Sequence, residues 1–140
     1  MSYLLDTNAV SEVMKAAPEP SVLEWLRRNE GACFLSAVTL GEIERGIALL
    51  PAGRKKHRLE EIFRDFLGVV EERVLAFDLQ VARRWAILTG GSQRKGRRLA
   101  VLDSMIEATA LHWNLTLVTR NAADFIEVKL FDPWKKDQYL

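Results

Sequence analysis

Four acidic residues occupy positions from which side chains could do chemistry. Asp6 ends the apolar run Tyr3-Leu4-Leu5. Glu42 follows a strand-like segment, at the start of a helical pattern. Asp103 lies between Leu99-Ala100-Val101-Leu102 and Met105-Ile106, and Asp124 follows the polar run Thr119-Arg120-Asn121. Carboxylates without accompanying His or Cys ligands suit Mg²⁺ or Mn²⁺ rather than a soft metal. The chain has two histidines, His57 and His112, and one cysteine, which argues against a zinc site. His112 reads as bordering the core.

Asp103 is the most informative of the four. Its apolar neighbours imply a largely buried helix, and an unpaired buried carboxylate is costly unless a cation or strong donors face it. The sequence offers no dedicated basic partner. Glu107, four residues on, shares the same helical face and adds repulsion if both are charged. A divalent cation would remove that conflict. Plainer readings exist for the others. Asp6 could cap the helix after it. Glu42 could be an exposed acid in a first turn, where the helix dipole favours it, and Asp124 could be a cap or turn residue.

The elements that must position these acids alternate. Tyr3–Leu5 reads as a strand, and a helix follows with Val10, Val13 and Met14 at helical spacing. Pro18 and Pro20 punctuate a loop before a second amphipathic helix built on Val22, Leu23, Trp25 and Leu26. Cys33–Ser36 is strand-like, and Leu40, Ile43, Ile47 and Leu50 keep helical period until Pro51, which places Glu42 near a helix start. A longer amphipathic stretch covers 54–73, and a strand is expected over 74–77. Asp78 then caps a helix carrying Val81, Trp85 and Leu88, which Gly90-Gly91 is expected to end. A helix over 99–113, a strand over 115–118, a helical turn at 121–125 and a last strand over 128–131 complete the chain.

Strands separated by helices predict a parallel sheet covered on both faces, because parallel strands need crossover connections. Ligands in such sheets bind beyond the carboxyl ends of the strands. Asp6 and Asp124 belong to that edge, and Glu42 and Asp103 lie on helices that can reach it.

At 140 residues the chain has the length of a single domain spanning 1–140, and with 49% hydrophobic and 28% charged residues its composition is that of a globular protein. The longest run without Asp, Glu, Lys or Arg, Ala108 to Thr119, is 12 residues, with Gly31 to Gly41 next at 11, too short for a membrane span. The N-terminus lacks a basic segment and carries Asp6 where a signal peptide would be apolar, so a cytoplasmic protein is expected, with Cys33 a buried structural thiol. Net charge is +1, yet eight of the twenty Lys and Arg residues fall in Arg54-Lys55-Lys56-His57-Arg58 and Arg94-Lys95-Gly96-Arg97-Arg98. Such runs can attract phosphate, or can be solvated helix ends and loop.

Four segments, in order, resemble the successive motifs of PIN-domain toxins, specifically the VapC and FitB group of bacterial toxin–antitoxin systems. They are Leu4-Leu5-Asp6-Thr7-Asn8, Gly41-Glu42-Ile43, Leu102-Asp103-Ser104-Met105-Ile106-Glu107-Ala108-Thr109-Ala110 and Val118-Thr119-Arg120-Asn121-Ala122-Ala123-Asp124-Phe125. The resemblance implies a three-layer α/β/α fold with a central parallel sheet, a homodimer, and RNA cleavage dependent on Mg²⁺ or Mn²⁺. It further implies a cognate antitoxin whose tail enters the acidic groove and whose other domain binds operator DNA. Asp6, Glu42, Asp103 and Asp124 match the acidic quartet, as metal ligands and catalytic residues. Thr7, Asn8, Thr119 and Asn121 match polar positions that orient the acids, bound water or phosphate. Glu107 departs from the pattern, standing where the family often has Ala, and reads either as an extra outer-sphere acid or as a solvated side chain.

Four clustered carboxylates repel a phosphodiester. One or two divalent ions would reverse the field, polarise the phosphoryl group and activate water for in-line attack. Several rivals compete. A non-toxin PIN-type nuclease or RNA-binding protein of RNA processing would share the fold, but a non-catalytic relative would be expected to have lost an acid. A phosphoacceptor signalling domain normally carries an acidic pair at its first strand, where this chain has Leu4-Leu5-Asp6-Thr7. A phosphatase with an aspartyl nucleophile usually has a second Asp at the position of Asn8.

Overall fold

Segments that are apolar on both faces are what a parallel sheet covered on both sides requires, and here they form its centre. The computed structural model describes residues 1–135. In chain order the elements are β1 (Tyr3–Leu5), α1 (Thr7–Val13), α2 (Pro20–Asn29), β2 (Cys33–Ser36), α3 (Ala37–Ala48), α4 (Arg54–Val70), β3 (Val74–Leu75), α5 (Leu79–Arg94), α6 (Val101–His112), β4 (Thr116–Val118) and β5 (Leu130–Phe131). Three-residue 3₁₀ turns occur at Glu30–Ala32, Glu71–Arg73 and Ala122–Asp124.

All four strand pairings are parallel, in the order β3-β2-β1-β4-β5. The chain builds outward from β1 to β3, then crosses through α5 and α6 to β4 on the other side of β1. The direction therefore reverses between β1 and β4, whose register pairs Leu5 with Val118. That junction is where an open α/β sheet leaves a crevice for a ligand.

Side-chain alternation along the strands makes the three layers. Leu5, Leu35 and Val118 point into a core with Val10, Trp25, Leu40, Ile43 and Phe63, beneath α1 to α4. Leu4 and Leu117 point the other way, onto Ile106 and Ala110 of α6. α5 forms the outer wall of that side, packing Val81 and Leu88 on Ala108. The result is the expected three-layer α/β/α arrangement around a parallel sheet.

Several boundaries differ from the sequence reading. Gly90-Gly91 does not end α5, which continues to Arg94. Tertiary packing outweighs the roughly 1 kcal/mol per glycine that weakens a helix interior; Ser92 is buried and its hydroxyl donates to Arg97 O at 2.8 Å. The turn comes instead at Gly96, whose φ of 79° is the left-handed conformation that glycine adopts without strain. β3 and β5 are two residues each, shorter than expected.

Candidate active site

Each acid is placed by a different local device. Asp6 continues the β1–β4 ladder, its N–H donating to Val118 O at 3.1 Å, and its carboxylate accepts from Ala9 N at 2.9 Å as the N-cap of α1. Capping and a place in the site are thus compatible at this residue. Ser36 caps α3 by accepting from Val38 N at 3.1 Å. Because α3 begins at Ala37, Glu42 lies in its second turn, not in the first. There Thr7 Oγ1 donates to Glu42 Oε1 at 2.8 Å, joining the start of α1 to α3.

Asp103 sits in the first turn of α6, which has no side-chain cap. That turn is more open than the sequence suggests, since Val101 is 62% and Leu102 45% exposed and Asp103 is half-buried. Asp124 closes the 3₁₀ turn after β4, its N–H donating to Asn121 O at 3.0 Å. Beside it Asn121 Nδ2 donates to Asn8 Oδ1 at 2.9 Å, and Asn121 N donates to the buried Thr119 hydroxyl at 3.0 Å.

The four carboxylates come together at the carboxyl edge of the sheet. Burial, and then the negative charges of Asp124 and Glu42, push the Asp103 carboxyl up from its ordinary range. Asp6, only 4% exposed, is pushed up to about 6, first by burial; hydrogen bonds from Thr119 and Ala9 pull it back, while the charge of Asp103 adds to the rise. None of the four forms an ion pair among the described residues. Carboxylates crowded this way, with no cation beside them, hold an electrostatic deficit that a hard cation would relieve.

The donor set fits such an ion, being entirely oxygen. Among the described residues no three His, Cys, Asp or Glu side chains are grouped closely enough to hold a metal ion, so the acids line a mouth and form no closed cage.

A groove of about 590 Å³ runs from Thr7 and Glu42 along an apolar floor that includes Met14, Ile43 and Ile47, and Lys15, Lys55 and Arg58 line it too. The first basic run therefore shares a groove with Glu42, while Asp6, Asp103 and Asp124 do not line it. In the second run Arg97 Nη2 donates to Ala123 O at 3.0 Å and to Phe125 O at 3.5 Å, bracing the turn that carries Asp124. The sequence reading missed that bracing role, which no periodicity signals.

Two other expectations are corrected. His112 is exposed at the end of α6, its ring 5.1 Å from that of Trp113, and does not border the core. Glu107 is neither solvated nor at the open mouth: it is 0% exposed and bonded to the backbone at 126–128. The available signal was an acid between Ile106 and Ala108 on a buried helical face. Cys33 is buried and unbridged, its thiol pushed up to about 12, chiefly by burial, which leaves it inert.

A parallel sheet of this order, with carboxylates gathered at its switch point, defines an open α/β protein with an acidic site at the carboxyl edge of its strands. More specifically, the chain belongs to the PIN domain family, whose model matches residues 3–129. It is 36% identical over 135 residues to Toxin FitB of Neisseria gonorrhoeae, covering 94% of this chain and 97% of that one. It is 33% identical over 139 residues to VapC ribonuclease Y4jK of Sinorhizobium fredii, covering 94% and 97%. Among solved structures, FitAB bound to an IR36 DNA fragment superposes with a TM-score of 0.87 at 35% identity, covering 95% of this chain and 96% of that one.

Proposed function

We propose that this chain is a metal-dependent endoribonuclease acting as the toxin of a type II toxin–antitoxin pair. The observation that carries the reading is the convergence of Asp6, Glu42, Asp103 and Asp124, without a cationic partner, at the sheet's switch point. Its similarity to FitB and to a VapC ribonuclease supports the same activity.

Asp6, Glu42, Asp103 and Asp124 would hold Mg²⁺ or Mn²⁺. Bound there, the ion supplies charge that polarises the phosphoryl group and lowers the pKa of water. The chain's own residues do the positioning. Thr7 fixes Glu42, and Thr119 and the α1 N-terminus fix Asp6. Lys15, Lys55 and Arg58 hold the RNA backbone along the groove.

The partner is an antitoxin with a DNA-binding domain that carries the pair to operator DNA, consistent with the DNA-bound FitAB relative. The chain acts in the cytoplasm; no helix among the described residues is long and apolar enough to cross a membrane. It acts as a homodimer, for which the exposed Leu79, Ile87, Val101 and Leu102 of the α5–α6 layer supply apolar surface.

Purified protein is expected to cleave structured RNA with Mg²⁺ or Mn²⁺ and to stop when a chelator is added. Expression alone is expected to arrest a bacterial host, and Asp6→Asn to relieve the arrest at equal protein level. Cleavage undiminished in EDTA by nuclease-free preparations, or arrest that persists in the variant, counts against the reading.

A further inference from the structure

Glu107 is a fully buried carboxylate whose partners are all backbone. Its Oε2 accepts from three consecutive N–H groups, Ile126 at 3.0 Å, Glu127 at 2.7 Å and Val128 at 3.1 Å, and Oε1 accepts from Ile126 at 3.3 Å. No cation pairs with it among the described residues. Burying a carboxylate costs far more than burying an alanine, and the converging donors offset that cost because hydrogen bonds to a charged acceptor are the strong ones.

The geometry gives this arrangement a consequence for the site. Glu107 lies one helical turn after Asp103 on the same face of α6. The segment it grips begins two residues after Asp124. Phe125, between them, is buried against the Ile106 side of the sheet. From the other side Arg97 holds the carbonyls of Ala123 and Phe125. The turn carrying Asp124 is thus bracketed, and the acid end of the bracket stands on the helix that carries Asp103. Asp103 and Asp124 face each other closely enough for their charges to repel, so without a clamp the exposed turn would swing away from α6.

We propose that Glu107 is a positioning residue that fixes Asp124 relative to Asp103 before any cation arrives. This rests on the metal-dependent nuclease reading above. Removing a group that orients metal ligands commonly costs about 10- to 100-fold in metal affinity or activity.

The test measures Mn²⁺ affinity by calorimetry, kcat and KM for RNA, and backbone amide exchange, with Glu107→Ala, Glu107→Gln and a control, Val81→Ala. Val81 is buried between α5 and α6 in a cluster that Ile126 also borders, so its truncation loosens the packing beside the clamp and lowers stability while leaving the Glu107 carboxylate and its three backbone donors in place. Glu107→Ala is expected to bind Mn²⁺ at least about tenfold more weakly and to lose kcat by a similar factor with KM little changed. Its amides at 126–128 should lose protection. Glu107→Gln, which keeps one oxygen for the three donors but as a neutral acceptor, should fall between wild type and Ala. Val81→Ala should melt lower yet keep wild-type Mn²⁺ affinity.

Mn²⁺ affinity and kcat unchanged in Glu107→Ala overturn the proposal. So does a Val81→Ala loss of affinity equal to that of Glu107→Ala. If the Ala variant does not fold, Glu107→Gln decides: a wild-type Mn²⁺ affinity there overturns the proposal, and a reduced one with KM preserved upholds it. Wild-type protein that takes up no Mn²⁺ overturns the metal-site reading and the positioning role together, whereas normal wild-type uptake left unaltered by both Glu107 variants overturns the positioning role alone.

Discussion

Asp6 shows how a single carboxylate links stability to function. Its folded-state pKa is raised from 3.8 to about 6, chiefly by burial. The folded state therefore keeps a proton that the unfolded chain releases, and metal-free stability falls as pH rises through that window, by roughly 3 kcal/mol at about 1.36 kcal/mol per unit. Above pH 6 the full penalty is present; below 3.8 it vanishes. A cation bound there, as the proposed function requires, would reverse the sign, since it would take the ionised form. Thermal unfolding across pH 4.5 to 7.5 should show Asp6→Asn gaining on wild type in EDTA as pH rises, and losing to it in Mn²⁺. Parallel pH profiles in EDTA would refute this. Asp103 follows the same logic, because burial and the charges of Asp124 and Glu42 raise its pKa too. Asp103→Asn should be at least as stable as wild type in EDTA, cleave no RNA and gain less from Mn²⁺. An Asp103→Asn protein that melts well below wild type in EDTA yet gains as much from Mn²⁺ would make this acid structural.

At the scale of elements, α3 carries Glu42 but is started by Ser36, whose hydroxyl accepts from Val38 N at 3.1 Å. Ser36→Ala should cost about 1 kcal/mol, the usual worth of such a cap, while kcat at low temperature stays near wild type because Thr7 still holds Glu42. A large loss of kcat with little change in melting temperature would show that the cap sets the acid's position. Why α3 starts at Ala37 was not legible in the sequence: Leu40, Ile43 and Ile47 fix its period, but period does not mark a beginning. The five strands and their parallel sense were legible, because apolar segments such as Leu4-Leu5 and Leu117-Val118 are buried on both faces and alternate with helical periods. So were the four acids, three of which stand directly on the switch-point edge or on a helix leaving it. What pattern could not show was Gly90-Gly91 inside α5, where packing overrides propensity, or the backbone donors at 126–128 that receive Glu107. Hydrogen bonds between a helix and a distant loop leave no periodic trace.

For the molecule as a whole, a net charge of +1 gives almost no long-range pull on a polyanion, so attraction must be local. The groove supplies it by setting Lys15, Lys55 and Arg58 along the same depression that ends at Thr7 and Glu42. Phosphates bound along the basic wall would bring a neighbouring linkage to the acids, where only a cation makes the field attractive. On the proposed function the two charges of opposite sign would divide the work, the basic side chains serving binding and the carboxylates the chemical step. Lys55 and Arg58 lie on α4, outside the acid cluster, so replacing both should leave kcat near wild type. KM should rise, and more so at low salt, where counterion release favours the wild type most. Each phosphate contact on a single strand contributes about 0.7 to the slope of log affinity against log salt. The double variant Lys55→Ala/Arg58→Ala should therefore flatten that slope by roughly 1.4 if each side chain meets one phosphate. Measuring RNA binding by the Asp6→Asn protein, with and without the double change, over a salt series isolates this from cleavage. An unchanged slope would mean that these side chains are solvated and that RNA enters from another side of the acids. A slope lowered by only half that amount would assign the contact to one of the two, and the single variants would say which.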